Sequence, residues 1–165
     1  MKKLIECVPN FSEGRDMDVI NRIVAAIGSV DGVSVLNVDP GAATNRTVVT
    51  FIGEPEAVTE AAFRGVAKAQ ELIDMRRHTG EHPRIGATDV LPLVPVSGVT
   101  MEEAAGLARG LAERVGNELG IPVYCYENAA YEEKRCNLAS CWRIRGVGEE
   151  TRRSVVASRL RPVGV

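Results

Sequence analysis

The chain's two histidines, His78 and His82, fall in one run, His78-Thr79-Gly80-Glu81-His82-Pro83-Arg84. Imidazole is the side chain whose unperturbed pKa, about 6.5, lies near neutrality, so proton transfer at pH 7 points to this run. Gly80 and Pro83 shape a loop, and Glu81 and Arg84 set opposite charges beside the imidazoles. The spacing departs from the zinc-protease pattern His-Glu-x-x-His. Here the Glu precedes the second His, and Gly80 and Pro83 interrupt the helix that would align two ligands on one face. No third ligand follows, so no metal is expected. A purely structural loop histidine is the alternative reading of the same residues.

Two further runs carry residues suited to a small polar ligand: Asn10-Phe11-Ser12-Glu13-Gly14-Arg15 and Asp39-Pro40-Gly41-Ala42-Ala43-Thr44-Asn45-Arg46. A guanidinium forks onto a carboxylate with two parallel hydrogen bonds, so Arg46 or Arg84 suits an acidic substrate. Asp39 could orient an imidazole or hold an amino group. The same residue types favour turns for backbone reasons alone, and composition by itself marks these runs only as sites to test.

The elements that must position these loops follow from periodicity. Strands are expected at 4–8, 33–38 and 46–52, the last two as a hairpin across a turn-rich loop at 39–45. Val19, Ile20, Ile23, Val24 and Ile27 repeat at helical spacing and predict a helix over 16–29, and a second helix runs from Pro55 to about residue 75. A strand at 90–96 contains Pro92 and Pro95, which suggests an edge or irregular position. Thr100-Met101-Glu102-Glu103 has the form of a capping box opening a helix to residue 119, which Gly120 ends. A last strand is expected at 122–126. This order predicts a ferredoxin-like α+β sandwich: a mixed or antiparallel sheet, helices on one face, and the other face open to a ligand or a second sheet. The three polar loops could converge in it.

A chain of 165 residues, 45% hydrophobic and 25% charged, is long enough to bury a real core and has the composition of a globular protein. The net charge of −2 supplies no field to recruit nucleic acid, and three Phe, three Tyr and one Trp are too few for a base-stacking platform. No run of about 18 apolar residues predicts a membrane span, and Glu6 comes too early for a signal peptide. A cytoplasmic location is expected. The four cysteines form no Cys-x-x-Cys pair. Cys7 and Cys125 lie in apolar runs, where Cys acts as a small hydrophobe. A disulfide framework is not expected in a reducing compartment, and a nucleophilic Cys stays open.

Several blocks in order resemble the glutamate formiminotransferase family, over roughly residues 3–139. They are Glu6-Cys7-Val8-Pro9-Asn10-Phe11-Ser12-Glu13-Gly14; Asp39-Pro40-Gly41 with Thr44-Asn45-Arg46-Thr47-Val48; Leu72-Ile73-Asp74-Met75; Gly80-Glu81-His82-Pro83-Arg84 with Gly86-Ala87 and Asp89-Val90; Val94-Pro95-Val96; and Pro122-Val123-Tyr124. The resemblance implies transfer of a formimino group from N-formimino-L-glutamate to tetrahydrofolate, giving 5-formiminotetrahydrofolate and glutamate, in histidine degradation. Tetrahydrofolate is then a co-substrate, and no metal takes part. It further implies two similar α/β subdomains whose sheets face each other with folate between them.

The family's catalytic histidine falls on His82. The folate N5 amine attacks the formimino carbon and must lose a proton, while the glutamate nitrogen must gain one. One group titrating near pH 7 can serve both, a contribution of about 10²–10⁴-fold. Asn10, Asp39, Asn45, Arg46 and Arg84 are the residues inferred to orient His82 and hold the glutamate carboxylates. A non-catalytic folate or acidic-ligand binder of the same fold is the alternative.

The resemblance stops near residue 140, and the charge changes there. Residues 1–140 carry 14 Lys and Arg against 20 Asp and Glu, whereas 141–165 carry six Arg and two Glu. The expected organisation is therefore an N-terminal subdomain over 1–140 and a divergent basic tail over 141–165, with the second subdomain absent. A homo-oligomer pairing two open sheet faces could rebuild the cleft. The basic tail also admits a nucleic-acid-binding reading. Two origins of the tail compete, a natural stand-alone subdomain or a shifted reading frame. Cys141-Trp142-Arg143-Ile144-Arg145 can be encoded TGC TGG CGA ATA CGA, which one base later reads Ala-Gly-Glu-Tyr and then a codon beginning GA. The family has Gly-Glu-Tyr-Glu at this point, and sequencing the gene around codon 141 decides between the two.

Overall fold

A computed structural model describes residues 2–80, 85–131 and Cys136. The basic tail at 141–165, and with it the boundary at residue 140, lies outside the described residues, as do His82 and Arg84.

The strands are β1 (Leu4–Cys7), β2 (Asn10–Phe11), β3 (Val33–Gly41), β4 (Arg46–Gly53), β5 (Thr88–Val90) and β6 (Leu93–Ser97). The helices are α1 (Met17–Gly28), α2 (Pro55–Leu72) and α3 (Met101–Leu119), followed by a 3-10 turn at Glu127–Ala129. All strand pairs are antiparallel. β4 is central: β3 pairs with one edge of it, and β1 and β2 lie end to end along the other. β6 then pairs with β1, and β5 with β2. Merging the end-to-end pairs leaves four strand positions joined by two helical crossovers. This is the expected ferredoxin-like α+β sandwich, with α3 as the added element.

Alternation builds the two faces. Thr47, Val49, Phe51 and Gly53 are buried along β4, while Val48, Thr50 and Ile52 between them are only half-buried. The core continues through Ile5 and Cys7 of β1, Phe11 of β2 and Leu93 of β6. The helices close over it. α1 buries Ile20, Ile23 and Ile27; α2 buries a row of small residues that includes Ala61, Ala62, Gly65 and Ala69. Small side chains let the helix backbones approach closely, and a Cβ at Gly65 would press on Ile27. Among the described residues no helix covers the opposite sheet face, which bears Glu6, Val48, Thr50 and Ile52.

Local signals set the helix ends. Asp16 caps α1, its carboxylate accepting the Asp18 and Val19 amides. Thr100 and Glu103 form the expected capping box of α3, and Gly120 ends that helix in the left-handed conformation at φ +66°.

Three expectations are corrected. The hairpin's first strand runs to Gly41, so Asp39 and Pro40 pair with Val48 and Thr47 instead of lying in a loop. The segment at 90–96 divides into β5 and β6 at Leu91-Pro92, since Pro92 offers no N–H for the ladder. The segment at 122–126 is irregular and not a strand. Pro122 lacks a donor, and Pro95 removes one from the edge strand β6 that a further strand would need. Ile121, Cys125 and Tyr126 are buried all the same.

Candidate functional site

Three connections meet at one end of the sheet: residues 12–16 before α1, the β3–β4 turn, and the segments on either side of residues 81–84. The first is organised by Glu13. One of its carboxylate oxygens accepts the successive backbone N–H groups of Gly14, Arg15 and Asp16 at 2.9, 2.8 and 3.0 Å. Thr47 Oγ1 donates to the Glu13 carbonyl and Arg15 Nε to the Ala42 carbonyl, which tie this loop to the hairpin. Gly14 sits so close to the turn that a Cβ there would collide with the Arg46 amide nitrogen and the Gly41 carbonyl oxygen. No larger residue fits.

Asn45 joins the first loop to the third. Its Oδ1 accepts the Gly14 N–H at 2.9 Å, and its Nδ2 donates to the Thr79 carbonyl at 3.0 Å. Its backbone is left-handed at φ +50°, a conformation Asn adopts more readily than most residues. The adjacent Arg46 reaches Asp89, with Nη2 3.0 Å from Oδ2. Asp89 is fully buried, and the Arg46 side chain keeps 14% of its surface exposed. The other Asp89 oxygen, Oδ1, accepts the Ile85 N–H at 3.0 Å. Ser12, also fully buried, donates from Oγ to the Gly86 carbonyl at 2.7 Å and from its backbone N–H to the Ala87 carbonyl at 2.8 Å.

The expected site residues therefore divide. Asn45 and Arg46 lie in this junction. Asn10 and Asp39 lie opposite Val48 on either side of β4, one row across the sheet. Two strand spacings, about 9–10 Å, separate their backbones. Asn10 is half-buried with Nδ2 donating to the Val8 carbonyl at 3.2 Å, and Asp39 is exposed. His78 is half-buried. Ser12 and Asp89 were not singled out from sequence. Both lie in the blocks that resemble the family, Ser12 within residues 6–14 and Asp89 beside Val90, and that resemblance is the signal that could have found them.

Burial pushes the Cys7 thiol well above its usual range, which leaves little thiolate for a nucleophilic role. Among the described residues no group of three or more His, Cys, Asp or Glu side chains is placed to hold a metal ion. None of the described helices is long and apolar enough to cross a membrane.

Residues 4–158 match the family model of the formiminotransferase domain, N-terminal subdomain. The chain belongs to this family. Over 138 residues it is 54% identical to a formimidoyltransferase-cyclodeaminase of Gallus gallus, covering 84% of this chain and 26% of the relative. It is 53% identical over 137 residues to a glutamate formimidoyltransferase of Thermoplasma acidophilum, covering 83% of this chain and 45% of the relative. A glutamate formimidoyltransferase of Streptococcus pyogenes is 47% identical over 139 residues, covering 84% of this chain and 46% of the relative. The chain thus spans between about a quarter and just under half the length of these curated relatives.

Proposed function

We propose that this formiminotransferase subdomain contributes one wall of a cleft in which a formimino group passes from N-formimino-L-glutamate to tetrahydrofolate, with His82 as general acid and base. The observation that carries the reading is the meeting of three loops beside the run that holds His82, in a chain about half identical to glutamate formimidoyltransferases. Tetrahydrofolate is a co-substrate here, and no metal takes part.

The attacking folate nitrogen gives its proton to neutral His82, and the imidazolium returns a proton to the departing glutamate nitrogen. The open sheet face, with Asn10 and Asp39 in one row, is the wall for the ligands. Asn45, Arg46 and Arg84 orient the histidine run and the substrate carboxylates. A second sheet completes the cleft, from a further subdomain or from another copy of this chain in a cytoplasmic homo-oligomer.

A second reading is a folate- or acidic-ligand-binding subunit of the same fold without turnover of its own: Asn10 and Asp39 in one row of the sheet offer polar groups to a ligand whether or not a proton is transferred. Equilibrium binding of tetrahydrofolate beside a transfer assay separates the two. Turnover establishes the first reading, and tight binding without turnover establishes the second.

A further inference from the structure

The run that holds His82 is anchored at both ends by polar groups in the junction. At its start, the Thr79 carbonyl accepts from Asn45 Nδ2. At its end, the Ile85 N–H donates to Asp89 Oδ1, and the next two carbonyls, of Gly86 and Ala87, accept from Ser12. Asn45 and Arg46 are neighbours in sequence, so one point of the hairpin reaches both ends: Asn45 directly, Arg46 through Asp89. Ser12 and Asp89 are fully buried, and Asn45 is 7% exposed. Buried polar groups with fixed partners lock geometry, because an alternative arrangement would leave them unsatisfied.

We infer that Ser12, Asn45 and Asp89 are positioning residues that hold the ends of the histidine run and thereby set where its imidazole stands. This rests on the assignment of His82 to the proton transfers. None of the three touches the reacting atoms in this scheme. They act on the two ends of the run, through Thr79 on one side and Ile85, Gly86 and Ala87 on the other.

The test uses three conservative variants of the whole chain. Ser12→Ala removes one donor and keeps the backbone bond to Ala87. Asn45→Asp keeps the acceptor for Gly14 and loses the donor to Thr79. Asp89→Asn keeps an acceptor for Ile85 and loses the charge facing Arg46. The chain has two histidines, so nitrogen-15 labelling yields two imidazole spin systems, assigned with His82→Asn.

The expected result is a changed titration curve for His82 in Asn45→Asp and Asp89→Asn, with amide exchange at Ser12 and Ile85, both hydrogen-bonded in the junction, at least about tenfold faster while Val49 in β4 stays protected. In whichever assembly turns over, kcat falls on the order of 10–100-fold while KM moves little. An unchanged His82 titration in folded Asn45→Asp and Asp89→Asn overturns the inference, whatever the turnover. Absence of transfer by the wild type overturns the proposed reaction alone, since the imidazole and exchange signals still decide the positioning roles. If Asn45→Asp or Asp89→Asn fails to fold, Ser12→Ala is read by the same signals, and no change in them overturns the inference.

Discussion

Nη2 of Arg46 stands 3.0 Å from Oδ2 of Asp89, on a carboxylate with no exposed surface. The pair joins the start of β4 to the middle of β5, and the second Asp89 oxygen ties in Ile85. Removing one partner of a buried ion pair destabilises by about 3–5 kcal/mol. Replacing both partners by apolar residues of similar volume is often neutral. Urea denaturation is therefore expected to show a loss of that size in Asp89→Ala, and a smaller one in Arg46→Met with Asp89→Leu. A loss below about 1 kcal/mol in Asp89→Ala would show that the pair does not brace this end of the sheet.

Gly14 and two glycines of α3 make opposite predictions. A Cβ at Gly14 meets backbone atoms of Arg46 and Gly41, which cannot swing away as a side chain can. Gly14→Ala is expected to destabilise by about 1–3 kcal/mol and to disturb the amide signals of Asn45 and Arg46. At Gly106 and Gly110 nothing lies within 4 Å of an added Cβ. Alanine there gains helix propensity, about 0.5–1 kcal/mol at each position. Thermal unfolding of the three variants checks both signs.

Acid sensitivity should reside partly at the start of α3. The hydrogen bond from Lys3, together with those from Thr100, holds the Glu103 carboxyl down to about 2. Its folded value lies below the unfolded one of about 4.3. Its stabilisation is therefore complete above about 4.3 and is lost as pH falls through about 2. Lys3 is raised by the same contact, so its share is present below about 10.4 and fades as pH rises through the raised value. Both groups are exposed, and salt should weaken the effect. Glu103→Gln is expected to give a shallower fall in melting temperature between pH 4.5 and 2 at low salt. Asp74, held to about 2 by Arg76, stays as a common background. Parallel curves for wild type and variant would remove Glu103 from the account.

Local signals made much of the fold legible. Thr100, Glu103 and Gly120 mark both ends of α3 within a few residues of sequence, because capping is a short-range matter. The alternation from residue 46 onward identified β4 for the same reason. What failed depended on partners distant in sequence. Asp39 and Pro40 look like turn residues, but β4 supplies a ladder for them. Residues 122–126 look like a strand, but the edge they would join is interrupted by Pro95. In the site, Asn45 and Arg46 were legible as polar residues in a loop. Asp89 was not, because its meaning comes from Arg46, 43 positions away, and from burial that only the packed sheet creates.

Proton transfer by His82 is tested by measuring formimino transfer from N-formimino-L-glutamate to tetrahydrofolate, wild type beside His82→Asn. The chain would be assayed at low and at high concentration, the latter an arrangement in which its own copies can associate. The wild type is expected to turn over in at least one arrangement, and turnover to fall about 10²–10⁴-fold in His82→Asn with its folding intact. Equal turnover by His82→Asn, or no turnover by the wild type in either arrangement, would contradict proton transfer by His82.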